Sequence, residues 1–147
     1  NLVALLPHRF PGKPFYMSCL GGYQLHDLKG VIARESLPGT FFAFCGIANP
    51  TRFTSSLDDF GIHPTGFQTF KDHTPYSQAI VDRLCQKAVA SGADYLITTE
   101  KDSVKLKNLA PGLPLFTLKV DHQIDPALDL FILDALKRRP LSVPNNP

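Results

Sequence analysis

"TFFAFCGIANPTRF", Thr40–Phe53, decides the fold. Thr40–Ile47 is a continuous apolar run closed by Gly46, with the length and bulk of a strand buried on both faces. "ANPTRF" then supplies a helix start. Asn49 can cap, and Pro50 suits the first helical position, where no N–H is needed. Phe53, Leu57 and Phe60 follow at spacings of four and three, one face of a helix that Gly61 stops. This is strand, loop, helix, in that order.

The pattern repeats down the chain. A strand at Gly66–Phe70 leads through "KDHTPY" to a helix from Ser77, with Ile80, Val81, Leu84, Cys85, Ala88 and Val89 as its apolar stripe and Gly92 as its end. "ADYLITT" (Ala93–Thr99) is a third strand. "TEKD" after it resembles a capping box with Asp102 in place of Glu. "LPLFTLKV" (Leu113–Val120) is a fourth strand, and "DPALDLFILDALKRR" a last helix with basic Lys137, Arg138 and Arg139 at its end. Residues 1–38 hold Pro7, Pro11, Pro14, Gly12, Gly21, Gly22 and Gly30, and read as a linker or irregular lead-in with one strand at "PFYMSCL"; residues 140–147 read as a frayed tail. Residues 39–139 therefore form one α/β domain: a parallel sheet of four to five strands with helices on both faces, Rossmann-like and without a P-loop.

Composition sets outer limits. The 147 residues fit one domain, 44% hydrophobic and 19% charged, which is globular. A net charge of +2 with no basic run argues against a dedicated nucleic-acid binder. Eleven Phe and no Trp suit a core more than a stacking platform. Cys19, Cys45 and Cys85 show no CxxC spacing, and Cys45 and Cys85 read as small buried hydrophobes. No apolar stretch is long enough to span a membrane. The chain opens on Asn1 and is expected to be a piece of a longer protein.

In such sheets ligands sit at the carboxyl ends of the strands. Three loops leave those ends, "GIANP", "KDHTPY" and "TTEKD", and carry Asn49, Asp72, His73, Thr98, Thr99, Glu100, Lys101 and Asp102. His73 reads three ways: a polar turn residue, a general base or its partner, or a metal ligand. Asp72 beside it would support it or cap the next turn. A second Asp-His pair, Asp121-His122, would complete a metal-dependent hydrolase, but its spacing from the first matches no compact ligand signature, and no metal is expected. Lys101 near a helix start could complete an anion site, or simply lie in solvent with Glu100 and Asp102. GxGxxG, GxxxxGK[ST] and GxSxG are all absent.

"AFCGIANPTRF", "FKDHTPYS", "ADYLITTEKDSVKL" and "PLFTLKVD", in this order and spacing, resemble the C-terminal part of the tetraacyldisaccharide 4′-kinase (lipid A 4′-kinase) family. The resemblance spans roughly Gly39–Asp121, with a looser match over Gly21–Leu37. It implies transfer of the ATP γ-phosphoryl group, with Mg²⁺, to the 4′-hydroxyl of a tetraacyldisaccharide 1-phosphate at the cytoplasmic face of the bacterial inner membrane. It implies that His73 pairs with an aspartate of an N-terminal P-loop domain outside this chain. The strand-end residues Asn49 and Thr98–Asp102 would then border the substrate and nucleotide cleft. The Walker lysine, the Mg²⁺ carboxylate and the membrane-associating segment would lie upstream of Asn1. The chain alone is then expected to bind neither ATP nor Mg²⁺ and to be inactive. A stand-alone α/β ligand-binding or regulatory module is the alternative, with the metal-dependent hydrolase behind it.

Overall fold

The computed structural model describes residues 2–27 and 29–138. Arg139 and the tail at 140–147 lie outside the described residues. The elements are α1 (Leu2–Arg9), β1 (Ser18–His26), β2 (Val31–Ile32), β3 (Phe41–Cys45), α2 (Pro50–Asp59), β4 (Gly66–Thr69), α3 (Gln78–Ala90), β5 (Tyr95–Thr99), α4 (Glu100–Ser103), β6 (Leu115–Ile124) and α5 (Pro126–Arg138). One sheet has the strand order β2-β1-β6-β5-β3-β4. Strands β3, β4, β5 and β6 pair in parallel, the expected four, and β1 pairs antiparallel with β2.

All five residues of β3 are buried, as its unbroken apolar run predicts. Alternate side chains face opposite layers because a strand has a period of two. Phe41, Ala43 and Cys45 pack with Phe53 and Leu57 of α2. Phe42 and Phe44 pack with Val81, Leu84, Cys85 and Ala88 of α3. The helices therefore cover both faces. Five of the eleven phenylalanines, Phe41, Phe42, Phe44, Phe53 and Phe116, are buried in the core, whereas Phe10, Phe15 and Phe131 are exposed.

Polar groups hold the ends of β3. At its start, Thr40 N–H donates to Asp94 Oδ2 at 2.8 Å, and the Thr40 hydroxyl donates to the Gly92 carbonyl at 2.8 Å. A Cβ on neighbouring Gly39 would stand 2.5 Å from the Tyr95 ring, so only glycine fits there. Gly61 and Gly92 stop α2 and α3 with φ of 75° and 76°, conformations that L side chains rarely adopt.

The described residues fall into two compact units, those up to Gly21 together with those from His122, and Gly22–Asp121. The lead-in is more regular than expected. It holds α1, with Pro7 inside it, and two strands where an irregular segment with one strand was expected. The expected strand at "PFYMSCL" begins only at Ser18 and runs on through Gly21-Gly22 to His26. That glycine pair reads as a break, yet a Cβ on Gly21 would stand 2.8 Å from the Gln123 side chain. Glycine permits a close approach there, not a turn. Strand β6 is likewise longer than Leu113–Val120 and takes in Asp121 and His122, so the second Asp-His pair lies within a strand, not after one. In the first unit, Tyr16 and Phe131 rings meet at 5.5 Å, Asp125 N–H donates to the Met17 carbonyl, and Ser18 Oγ is 3.2 Å from His122 Nδ1. Helix α5 ends in Lys137 and Arg138, the latter paired with Asp134 at 2.8 Å. Among the described residues no helix is long and apolar enough to cross a membrane.

Candidate functional site

The loops after β3, β4 and β5 leave one edge of the sheet, since the three strands are adjacent and parallel. Asn49, His73 and Thr99 thus share a rim, as the alternation of strands and helices predicts.

His73 sits on a tight turn after β4. Thr74 N–H donates to the Lys71 carbonyl at 3.1 Å, and the Thr74 hydroxyl donates to the same oxygen at 2.6 Å. His73 has φ 61°, the left-handed value that a type II turn needs at its third position. Glycine is the usual occupant, and among the described residues His73 is the one non-glycine with positive φ. Its side chain is 77% exposed. The imidazole Nε2 is 3.6 Å from Asp72 Oδ2, and His73 N–H donates to Asp72 Oδ1 at 3.0 Å. Lys101, from α4, donates to the same Oδ1 at 2.8 Å. The Lys101 hydrogen bond is the main cause that holds the Asp72 carboxyl below its ordinary value; desolvation opposes it, and the His73 and Lys101 charges and the His73 N–H add to the lowering. Lys101 is therefore paired with a carboxylate while its side chain stays 46% exposed.

The "TTEKD" stretch divides by burial. Thr98 is fully buried and its hydroxyl donates to the Phe44 carbonyl at 2.8 Å. Thr99 caps α4, accepting from Asp102 N–H at 3.2 Å. Asp102 is also fully buried. Its Oδ2 accepts Gly46 N–H at 2.7 Å and the Thr99 hydroxyl at 2.9 Å, while Oδ1 accepts Lys105 Nζ at 2.9 Å. Only half of the expected capping box forms. Thr99 caps as predicted, but the acid reaches across to the loop after β3. Thr98 and Asp102 are thus interior fixings of the rim, not walls open to a ligand. Asn49 caps α2, accepting from Arg52 N–H at 3.2 Å. Glu100 is exposed, and an open cavity of about 620 Å³ is lined by Glu100, Ser103, Val104, Lys107, Thr117 and Lys119. His73, Asp72 and Lys101 are not part of that cavity.

Tyr76 and Lys105 belong to this rim although composition and spacing gave them no role, and Gly46 permits the close approach of backbone that its place in "GIANP" suggests. A Cβ on Gly46 would stand 3.0 Å from Tyr76 Oη and 3.3 Å from both Asp102 Oδ1 and the Lys71 carbonyl. Tyr76 packs edge-on against Phe44 and Phe70, and Lys105 lies over its ring at 5.7 Å. Among the described residues its buried hydroxyl has no partner in good hydrogen-bond geometry, and burial, followed by the Asp102 charge, pushes the phenol well above its usual value. Burial likewise pushes the Cys45 thiol up to about 11, with an Ile47 backbone hydrogen bond opposing and the Asp102 charge adding. The only sequence clue to Tyr76 was its place in "KDHTPY".

The rim carboxylates Asp72 and Asp102 do not fit a Mg²⁺–triphosphate site. Asp102 is saturated by three donors in the interior, and Asp72 is held by Lys101 and a backbone N–H. Nor do the two Asp-His pairs assemble: among the described residues no three His, Cys, Asp or Glu side chains are grouped as a metal ion would require.

A family model described as tetraacyldisaccharide-1-P 4′-kinase matches residues 18–137. The chain belongs to this family. A tetraacyldisaccharide 4′-kinase of Desulfotalea psychrophila is 34% identical over 128 residues, covering 87% of this chain and 37% of the relative. Another, from Koribacter versatilis, is 36% identical over 101 residues, covering 66% of this chain and 31% of the relative. The crystal structure of the apo form of LpxK from Aquifex aeolicus in complex with ATP superposes with a TM-score of 0.60 at 23% identity, over 86% of this chain and 37% of that one. This likeness shows the fold. The chain spans 37% of the length of the first of these relatives, so the 4′-kinase family members extend well beyond the segment matched here.

Proposed function

We propose that this chain is the C-terminal part of a tetraacyldisaccharide 4′-kinase, which moves the γ-phosphoryl group of ATP to the 4′-hydroxyl of a tetraacyldisaccharide 1-phosphate. Its part in the reaction is to present His73. The observation that carries this reading is the exposed imidazole on a left-handed turn at the carboxyl edge of the sheet, in a chain of this family. A strained backbone kept at a rim is a mark of function more than of stability.

In this reading the imidazole pairs with an aspartate from an upstream P-loop part of the protein. It orients that carboxylate, or shares its proton, as the aspartate receives the proton of the 4′-hydroxyl. ATP and Mg²⁺ are held by the upstream part, which supplies the phosphate positioning and metal charge that phosphoryl transfer relies on. The isolated chain is then inactive. The whole protein works at the cytoplasmic face of the inner membrane, where its lipid substrate lies, and meets the membrane through its upstream part.

The test is steady-state kinetics on the full-length protein and on its His73→Ala variant, with ATP and the disaccharide. Positioned acid–base groups are worth roughly 10²–10⁴ in rate, and a partner to the base falls toward the low end. The variant should lose kcat by about that lower factor with the KM for ATP little changed. An unchanged kcat removes His73 from the chemistry. Phosphoryl transfer by this chain alone would overturn the division of labour.

A further inference from the structure

We propose that Lys101 is a positioning residue for His73: by gripping the Asp72 carboxylate it fixes the turn that presents the imidazole. This rests on the reading of His73 given above. The turn is anchored unequally. Its far side is held by the Thr74 bonds to Lys71 and by the packing of Tyr76 on Phe44 and Phe70. Among the described residues its tip, Asp72-His73, has a single long-range tie, the 2.8 Å bond from Lys101 Nζ to Asp72 Oδ1. That same oxygen accepts His73 N–H, so the lysine and the turn backbone converge on one atom. Lys101 is itself well founded. It lies in α4 between Thr99, which caps the helix, and Asp102, which is buried and bonded to Gly46, Thr99 and Lys105.

The pairing also settles a competition. Asp72 Oδ2 lies 3.6 Å from His73 Nε2, and an unpaired carboxylate there would draw the imidazole toward itself. The Lys101 ammonium, on Oδ1, offsets the Asp72 charge and so weakens its pull on the imidazole, which can then turn to an aspartate from outside the chain. "KDH" and "TTEKD", 29 residues apart in sequence, thus act as one device.

The experiment is a double-mutant cycle in the full-length protein, with Lys101→Met, His73→Ala, both together, and Lys101→Arg. A loosened catalytic group costs up to about 10²-fold, so Lys101→Met should lower kcat about 10-fold with the KM for ATP unchanged. Lys101→Arg, which can still bond the carboxylate, should recover most of that loss. In the His73→Ala background Lys101→Met should have no further effect, because the group it positions is gone. Wild-type kcat in His73→Ala would overturn the underlying reading and this proposal with it. A His73→Ala defect alongside normal Lys101→Met would overturn the positioning role alone. So would multiplicative losses in the double variant, which would mean that Lys101 acts on substrate directly. Thermal melts of the same proteins separate these outcomes from misfolding, and losing a lysine 46% exposed at its side chain should lower the melt only by the small amount an exposed ion pair contributes.

Discussion

If His73 is kept for its imidazole and not for its fold, glycine should hold the turn better than alanine does. The backbone at this position has φ 61°. A Cβ in that region costs roughly 1–2 kcal/mol through its contact with the following carbonyl, and glycine escapes this cost. Glycine also frees the unfolded chain, which takes back roughly 0.4–1 kcal/mol. The difference leaves His73→Gly about 0.5–1 kcal/mol more stable than His73→Ala. The side chain is 77% exposed, so the packing lost is small and the same in both variants. For a domain of this size each kcal/mol moves Tm by roughly 2–4 °C, so the glycine variant should melt roughly 1–4 °C above the alanine variant. Calorimetry on the two purified variants reads this directly, with urea titration as a second measure. Both variants should lose kcat equally in the full-length protein. A glycine variant that melts at or below alanine would falsify the assignment of strain to this turn. A glycine variant with normal kcat would refute the imidazole's role however the melts came out.

Three further outcomes follow from the rim. Asp102→Asn should cost about 2–4 kcal/mol in urea unfolding, because a neutral amide cannot serve Gly46 N–H, the Thr99 hydroxyl and Lys105 together in a buried site; a change below about 0.5 kcal/mol would exclude it as an anchor. The Asp72 carboxyl is lowered chiefly by Lys101, so its share of stability is complete above the ordinary carboxylate value of about 4 and is lost as pH falls through the depressed folded value; Lys101→Met should move its carbon-13 NMR titration upward, and an unmoved midpoint would deny the link. Of the three thiols only Cys19 is exposed, so a thiol reagent at pH 8 should label it first, while Cys45, raised to about 11, holds a thiolate fraction of only about 10⁻³ and should react only on unfolding.

The parallel half of the sheet was legible because its signals are local. The run Phe41–Cys45 is too apolar for any site but a strand covered on both faces, and Asn49-Pro50, Gly61 and Gly92 mark helix ends by their own backbone needs. The lead-in was not legible, for the same reason in reverse. Pro7 argues against a helix by propensity, and Gly21-Gly22 against a strand, yet Gly21 is there for a neighbour, Gln123, about a hundred residues later. At the rim, the loops and their order could be read, and so could the cap at Thr99. The roles of individual residues within "TTEKD" could not, since a sequence does not say which of two neighbouring carboxylates points inward. Asp102 turned to Gly46 and Lys105, and Lys101 turned the other way to Asp72.

The two aspartates that flank β5 have a consequence for how the chain finds its alignment. Strand β3 is apolar on both faces, so sliding it by one residue would exchange one set of hydrophobic side chains for another and force no polar group inward. Hydrophobic alternation, which fixes the offset of most strands, discriminates poorly here. Asp94 and Asp102 discriminate well. One takes the N–H of Thr40 and the other that of Gly46, either side of the strand, at 2.8 Å and 2.7 Å. A slip in either direction breaks both bonds at once and leaves a fully buried carboxylate short of a donor. One residue along a strand is roughly 3.3 Å, a displacement that would carry the Gly46 loop out of contact with Tyr76 and the turn behind it. The height of the rim is thus written in two charges at the ends of a strand whose own side chains are silent about it.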